Sequence, residues 1–263
     1  MRSDTNEAND KLTACALGFT PYREGLRLQE GLVSARAAGA TGDWLLFPDH
    51  PPVLTLGRSG RDDSLIADPA TLQRLGVERF EVARGGDLTW HGPGQLVAYP
   101  IVDLSRRGRD LHRFLRGLER ALIRVLEAYR VEGRTVAGRT GVWVEGRKIA
   151  SIGIAVRRWV SYHGLALNVA PDLRFFDLIH PCGLRGIHMT SLAALMGASA
   201  PPLAAVREQV ARELADGMGY SGLRWASPGE ARDAAGEDAG AEVSSVEPQE
   251  PAVNQVRTAG VPR

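Results

Sequence analysis

The pattern of apolar and polar positions predicts short strands and helices in mixed order. The clearest helix is predicted over Asp110–Tyr129, where apolar residues recur every three or four positions and Asp110 is suited to cap the first turn. Further helices are predicted after Pro21, at Ser191–Met196 and at Leu203–Gly217. Shorter apolar runs bounded by Gly and Pro predict strands. These runs are Leu12–Phe19, Asp43–Phe47, Val53–Leu56, Phe80–Ala83, Leu96–Val102, Gly141–Glu145, Lys148–Val156 and Val160–Val169.

This order of elements favours one α/β (α+β) domain with a mixed sheet and flanking helices. Gly146 and Arg147 separate two predicted strands, which indicates a β-hairpin, and a third strand follows directly. Hairpin-like strands argue against a doubly wound parallel sheet. From residue 226 the chain is rich in Ala, Glu, Pro and Gly and contains no aromatic residue. We therefore expect a single domain over 1–225 and a disordered tail over 226–263.

The composition is that of a soluble globular protein. Of 263 residues, 44% are hydrophobic and 24% are charged. Neither a secretory leader nor a run of 18 apolar residues is present, so no membrane association is expected. Cys15 and Cys182 are the two cysteines, too few for a disulfide framework or a four-cysteine metal site. The cytoplasm is the expected compartment.

The charge distribution suits an acidic protein partner better than a nucleic acid. The net charge is +1, but residues 1–225 hold 29 basic and 24 acidic side chains, a surplus of five. Such a surplus steers acidic partners by long-range attraction. No basic run with interleaved aromatic residues is present, so nucleic-acid binding is not expected.

Lys148 is conspicuous because the chain otherwise uses arginine. Thirty of the 32 basic residues are Arg, and the other lysine, Lys11, lies in a polar N-terminal stretch. Arginine does not release its proton in proteins, whereas a desolvated lysine can. A lysine kept in such a chain indicates proton chemistry, although a chance surface lysine gives the same pattern.

Cys182 lies in a setting that favours a reactive thiol. It occupies a Pro-Cys-Gly turn, with His180 and Arg185 nearby to favour the thiolate. Cys15 lies within an apolar strand and is expected to be a buried, inert side chain. The residues alone do not decide whether a histidine or Lys148 is the base that activates Cys182.

Two further segments have the small residues that let a ligand or a backbone approach. Residues 84–95, RGGDLTWHGPGQ, predict a glycine-rich loop in which Arg84, Thr89 and His91 offer hydrogen-bond donors. This spacing matches neither a P-loop nor a dinucleotide fingerprint. In Ser151–Ala155 small residues alternate with isoleucines, so one face of that strand is nearly bare. The histidines lack compact zinc-site spacing, so no metal is expected.

Taken in order, three motifs resemble the lipoyl(octanoyl) transferase family. They are RGGDLTWHGPGQLVAYPI, then GRKIASIGIAV with SYHGLALNV, then DLIHPCGL with TSL, and the likeness extends over about residues 20–220. The resemblance implies the catalytic fold of lipoate and biotin protein ligases. It implies octanoyl-acyl carrier protein as the donor, with no cofactor. It implies lipoyl domains of dehydrogenase complexes and the glycine-cleavage carrier protein as acceptors.

The resemblance also assigns residues, so that the 1–225 domain becomes an acyltransferase catalytic domain. Cys182 takes the place of the cysteine that carries the acyl group, and Lys148 that of the lysine which activates it. The implied substrate-binding residues are Arg84, Gly85, Gly86, Asp87, Leu88, Thr89, Trp90, His91, Ser151, Ile152, Gly153, Gly164, Leu165 and Ala166.

Three alternatives remain open at this stage. An ATP-dependent lipoate or biotin protein ligase shares the implied fold but activates a free acid and needs no cysteine. A non-catalytic protein that binds acyl groups or lipoyl domains requires no reactive thiol. A Cys–His amidase is disfavoured because no orienting acid lies near the histidines.

Overall fold

A computed structural model of the chain describes residues 11–180 and 186–237. The strands are β1 Lys11–Phe19, β2 Trp44–Asp49, β3 Val53–Leu56, β4 Glu78–Glu81, β5 Leu88–His91, β6 Gln95–Ile101, β7 Arg134–Val136, β8 Arg139–Val144, β9 Arg147–Arg157, β10 Val160–Asn168 and β11 Gly222–Ala226. The helices are α1 Tyr22–Ala37, α2 Pro69–Arg74, α3 Leu111–Ala128, α4 Leu192–Met196, α5 Leu203–Gly217 and α6 Pro228–Ala235. Short 3₁₀ turns cover Asp62–Ser64, Leu104–Arg107, Leu173–Leu178 and Gly197–Ser199.

Eight of these eleven strands form one large mixed sheet. Its strand order is β11-β1-β2-β6-β10-β9-β8-β7. The pairs β11–β1 and β1–β2 are parallel, and the remaining neighbours are antiparallel. The predicted mixed α/β class is therefore confirmed.

Helices cover both faces of this sheet. One apolar core lies between the sheet and helices α3 and α5, and a second lies between the opposite face and helices α1 and α6. In α3 the side chains of Leu118, Leu122 and Leu126 are buried, and the Asp110 carboxylate accepts the Arg113 N–H at 2.8 Å, as the periodicity predicts. Across the described residues no helix combines the length and apolarity needed to cross a membrane.

The β8–β9 hairpin and strand β10 align two of the predicted binding segments. Glu145 and Gly146 turn the chain with φ values of 49° and 76°, the left-handed conformations typical of tight two-residue hairpins. Strand β10 then runs antiparallel to β9. The segment 164–166 is paired residue by residue with 151–153.

A second, three-stranded sheet of order β4-β3-β5 carries the other predicted segment. The sequence analysis predicted a loop throughout residues 84–95, and this is wrong for Leu88–His91, which form β5 against β3. Leu54, Leu88 and Trp90 form the small core of this sheet with residues 175–179. Two alternate positions of β5 are thus apolar and buried, which is the physical reason for the strand.

The folded domain extends beyond the predicted boundary at residue 225. Helix α6 begins with a capping box in which the hydroxyl of Ser227 and the carboxylate of Glu230 accept each other's backbone N–H. Ala231 is fully buried, and Ala235 packs against Gly31 of α1. The prediction of disorder is therefore wrong for residues 226–237. Residues 238–263 lie outside the described part of the chain.

Candidate active site

A cavity of about 590 Å³ opens between α3, the β8–β10 strands and the segment around Arg84. Its volume lies in the range of small-molecule sites, about 300–1,000 Å³. Lys148 lines it. Thirteen of the fourteen predicted binding residues line it as well, namely Arg84, Gly85, Gly86, Asp87, Leu88, Thr89, His91, Ser151, Ile152, Gly153, Gly164, Leu165 and Ala166.

Trp90 is the predicted binding residue that does not line the cavity. Its ring stacks on Phe175, with centroids 5.0 Å apart, and meets Phe176 edge-on at 5.5 Å. Successive side chains of a strand point to opposite faces, so Trp90 faces the small-sheet core while its neighbours Thr89 and His91 face the cavity. The geometry gives Trp90 a packing role rather than a substrate contact.

The bare face of β9 receives the backbone of the glycine segment. The N–H of Gly85 donates to the carbonyl of Ile154 at 2.9 Å. A Cβ on Gly153 would lie 2.8 Å from the Gly85 carbonyl oxygen, closer than side chains tolerate. The Arg84 guanidinium donates to both oxygens of Thr55 and fixes the start of the segment. The small residues therefore let the backbone of the glycine segment lie directly against strand β9.

Asp87 lines the cavity and forms hydrogen bonds to Arg61 and Ser64. Its carboxylate accepts the Ser64 hydroxyl at 2.7 Å and the backbone N–H of Arg61 at 3.2 Å. The carbonyl of Ser64 in turn accepts the backbone N–H of His180 at 2.7 Å. Asp87 thus ties the glycine segment to the chain that leads into residues 181–185.

Lys148 is a buried amine, with 3% of its surface exposed. Its Nζ lies 5.5 Å from the centroid of the Trp143 ring. Gly141, with φ 121°, makes room for it: a Cβ there would lie 2.7 Å from Lys148 Cε and 2.4 Å from the Ala150 carbonyl oxygen. The β8–β9 hairpin therefore shapes a slot for this one side chain.

The backbone of Lys148 binds the chain that follows the predicted nucleophile. Its N–H donates to the His188 carbonyl and its carbonyl accepts the Thr190 N–H, both at 2.9 Å. Ile187, just before this bridge, lines the cavity. The described chain is thus anchored on both sides of residues 181–185. Cys182 itself lies outside the described residues.

A buried polar cluster lies beside the glycine segment. His50 Nε2 is 2.8 Å from the Tyr99 hydroxyl, and His91 Nδ1 is 2.8 Å from Gln95 Oε1. Burial lowers the pKa of His50 to about 4. Burial and the nearby His50 lower the pKa of His91 to about 3. Both imidazoles are therefore neutral at physiological pH.

His163 lines the cavity although it is not among the predicted site residues. It has a φ of 55°, rare for a non-glycine residue, and its backbone N–H donates to Gln29 Oε1 at 2.8 Å instead of extending the strand ladder. Its Nε2 is buried and has no hydrogen-bond partner among the described residues. Burial, and then Arg84, lower its pKa to about 3. No spacing in the sequence marks this position.

This arrangement suits an aliphatic acyl chain next to one amine. Leu111, Leu115, Ile152 and Leu165 supply apolar walls, and Lys148 supplies the group able to move a proton. Despite its histidines, the described part of the chain holds no group of three His, Cys, Asp or Glu side chains placed to bind a metal ion.

Sequence comparisons identify the family of the chain. Residues 21–215 match the family of the lipoyl protein ligase A/B catalytic domain. The chain is 49% identical over 195 residues to an octanoyltransferase of Geobacter metallireducens, covering 74% of this chain and 88% of the relative. It is 46% identical over 206 residues to an octanoyltransferase of Chloroflexus aggregans, covering 77% and 93%.

Solved structures of low sequence identity share the fold. A bi-partite lipoate protein ligase from Thermoplasma acidophilum superposes with a TM-score of 0.63 at 14% identity, covering 86% of this chain and 91% of that one. Lipoate-protein ligase A bound with ATP superposes with a TM-score of 0.65 at 15% identity, covering 86% and 93%. The chain therefore belongs to the lipoyl(octanoyl) transferase family, the octanoyltransferases of protein lipoylation, and has the lipoate ligase catalytic fold.

Proposed function

We propose that this enzyme moves an octanoyl group from octanoyl-acyl carrier protein to the target lysine of a lipoyl domain through a thioester on Cys182. One observation carries the proposal. Lys148 is buried in the cavity that gathers the three predicted binding segments, and its backbone is bonded to the chain just after the Cys182 segment. A buried amine whose backbone is bonded to the chain close in sequence to a cysteine supports a nucleophile activated by a nearby base.

The first half-reaction forms the acyl-enzyme. The Cys182 thiol gives its proton to Lys148 Nζ, and the thiolate attacks the carbonyl carbon of the octanoyl thioester. The tetrahedral intermediate expels the carrier thiolate, which takes a proton from Lys148. One thioester replaces another, so this step costs little free energy.

The second half-reaction transfers the group to nitrogen. The neutral amine of the target lysine attacks the Cys182 thioester and passes a proton to Lys148. The Cys182 thiolate leaves and recovers that proton as the amide forms. An amide is more stable than a thioester, so this step is downhill, and the scheme predicts ping-pong kinetics.

The acyl chain is proposed to bind along β9 and β10. Ser151–Gly153 and Gly164–Ala166 pair in register and present small residues between apolar walls. The Arg84–Thr89 segment closes over the thioester end, with Arg84 and Asp87 fixing its backbone. His91 contributes a neutral polar lining.

The proposed acceptors are the lipoyl domains of dehydrogenase complexes and the glycine-cleavage carrier protein, and the proposed compartment is the cytoplasm. The test is octanoyl transfer from the carrier protein to a purified lipoyl domain, with and without ATP. Equal transfer in both conditions, lost in Cys182→Ser, supports the proposal. Transfer from free octanoate that depends on ATP and survives in Cys182→Ser identifies a ligase instead.

Replacing Lys148 with Arg tests the proton transfer. The guanidinium carries a fixed positive charge and neither accepts nor releases a proton, so activity should fall by about 10²–10⁴-fold, the range for loss of general acid–base catalysis. The matched control is Lys11→Arg, a change at the chain's other lysine, which is exposed and should keep full activity. Near-normal turnover in Lys148→Arg reduces Lys148 to a fixed charge.

A further inference from the structure

An arginine-rich surface lies on α3, the helix that also contributes a wall of the acyl cavity, and has no part in the reaction described above. Residues 106–124 contain seven arginines and two acids. The arginines are Arg106, Arg107, Arg109, Arg113, Arg116, Arg120 and Arg124. They lie on the 104–110 turn and on the solvent side of α3, so their charges sum on one face.

Among the described residues, Arg109, Arg113 and Arg120 form no ion pair with a carboxylate, whereas Arg106 and Arg107 lie 3.8 Å from Asp103 and 3.9 Å from Asp43. Arg116 pairs with Glu119 at 2.5 Å, and Arg124 pairs with Glu213 at the same distance. Arg113 and Arg120 are exposed and lie two helical turns apart, on one side of α3. In the part of the chain that the structure describes, neither lies within ion-pair distance of a carboxylate.

A groove of about 430 Å³ runs between these side chains. Arg106, Arg107, Arg113 and Arg120 line it, with Gly117 and Met218 also in its wall. Asp110 also lines the groove, but its carboxylate caps α3 by accepting the backbone N–H of Arg113. Guanidinium groups bind carboxylates and phosphates through paired hydrogen bonds, so this groove fits an anionic ligand.

The acyl cavity and the basic groove lie on different sides of α3, about one helix diameter apart. Leu111, at the start of α3, is 39% exposed and lines the acyl cavity. Trp159 is also 39% exposed, and the Arg109 guanidinium lies 5.5 Å from its ring centroid. Exposed Trp and Arg side chains are typical of residues that dominate protein interfaces.

We propose that the Arg113–Arg120 face of α3, with the adjoining groove, is the docking surface for the acidic protein that delivers the acyl thioester. This rests on the proposed function, since it names where the donor of that reaction binds. The donor is favoured over the acceptor because a carrier protein holds its thioester on a phosphodiester-linked arm. The donor therefore brings phosphate as well as carboxylates to the groove, whereas a lysine acceptor brings no phosphate.

Acyl-enzyme formation should be measured with two donors in the same variants. Octanoyl-carrier protein needs the docking surface, whereas octanoyl-N-acetylcysteamine, a small uncharged thioester, does not. We expect Arg113→Glu/Arg120→Glu to slow formation from the carrier protein at least about tenfold, within the range of electrostatic steering. The rate with the small thioester should stay unchanged, which also shows that the variant is folded. Arg27→Glu, at an exposed position of α1 on the opposite face of the sheet, is the charge-reversal control and should leave both rates unchanged.

The outcomes separate the docking proposal from the proposed function. Equal slowing with both donors, or none with the carrier protein, overturns the docking surface. Slowing confined to transfer onto the lipoyl domain assigns the surface to the acceptor and also overturns it. Inhibition by DNA as strong as by the unacylated carrier protein marks a general polyanion surface instead. No acyl-enzyme from either donor in the unmodified protein refutes the proposed function itself.

Discussion

Lowering the pH from 7 to 5 should destabilise the fold through three buried histidines. In the folded protein the pKa values of His50, His91 and His163 are lowered, mainly by burial, from 6.5 to about 4, 3 and 3. Between about pH 6.5 and pH 4 the unfolded chain therefore binds more protons than the folded one, and stability falls as the pH falls. Above pH 6.5 the imidazoles are mostly neutral in both states, so this contribution no longer changes.

The size of the effect follows from the proton linkage. At pH 5 an unfolded histidine is almost fully protonated while the buried one is not, which costs about 2 kcal/mol per histidine relative to pH 7. Three histidines give a loss of about 6 kcal/mol, comparable to the whole stability of many domains at about 5–15 kcal/mol.

Urea unfolding followed by circular dichroism at pH 7, 6 and 5 measures this loss. Substituting His163→Asn should reduce it by about 2 kcal/mol, since asparagine tolerates the positive φ at this position but does not titrate. His112→Asn makes the same substitution at an exposed position on α3 and is the control variant. The reasoning is refuted if the free energy of unfolding falls by less than about 1 kcal/mol between pH 7 and pH 5, or if His163→Asn does not reduce that fall.

Three further predictions concern packing. Gly153→Ala should lower the free energy of unfolding by about 1–3 kcal/mol, because the new Cβ would lie 2.8 Å from the Gly85 carbonyl oxygen. In Gly85→Ala the nearest atom to the new Cβ is 3.7 Å away, so the thermal midpoint should be nearly unchanged. Equal midpoints for the two variants would contradict the close approach. A protein truncated after residue 226 should have a lower melting temperature than one truncated after residue 237, because it lacks α6. Identical melting temperatures would show that α6 adds no stability. Burial raises the pKa of the Cys15 thiol to about 11. Iodoacetamide at pH 8 should therefore not label Cys15 until the protein is unfolded. Rapid labelling of Cys15 in the native protein would contradict its burial.

Local sequence patterns predict the helices and the hairpin because local energetics decide them. In α3 the cap and the apolar repeat agree, and the structure places the helix at Leu111–Ala128, within one residue of the prediction at each end. The hairpin turn lies at Glu145 and Gly146, one residue before the predicted Gly146-Arg147, and its glycine is the local signal for it. These elements need no distant contact to be recognised.

Elements that depend on distant partners were missed or misplaced. Strand β5 exists because β3 pairs with it and because Trp90 meets Phe175, 85 positions away in the chain. Helix α6 is stabilised by Gly31, some 200 residues before it. From composition alone, β5 is predicted as part of a loop and α6 as part of a disordered tail, because neither distant contact can be recognised from neighbouring residues.

In the candidate site, too, some residues can be predicted from local sequence and others depend on the tertiary fold. Lysine scarcity and small residues pointed to Lys148 and to the β9 segment, and the cavity unites them. His163 is not among the predicted site residues because its importance lies in a left-handed backbone and a contact with Gln29, both products of the tertiary fold. The role of Cys182 stays a prediction.

Mass spectrometry of the protein after incubation with octanoyl-carrier protein tests the central claim most directly. The account predicts one octanoyl group on the peptide that contains Cys182, removed when a lipoyl domain is added. The adduct should persist in Cys15→Ser and be absent in Cys182→Ser. An adduct that remains in Cys182→Ser, or transfer to the lipoyl domain without any adduct on the enzyme, would contradict the account.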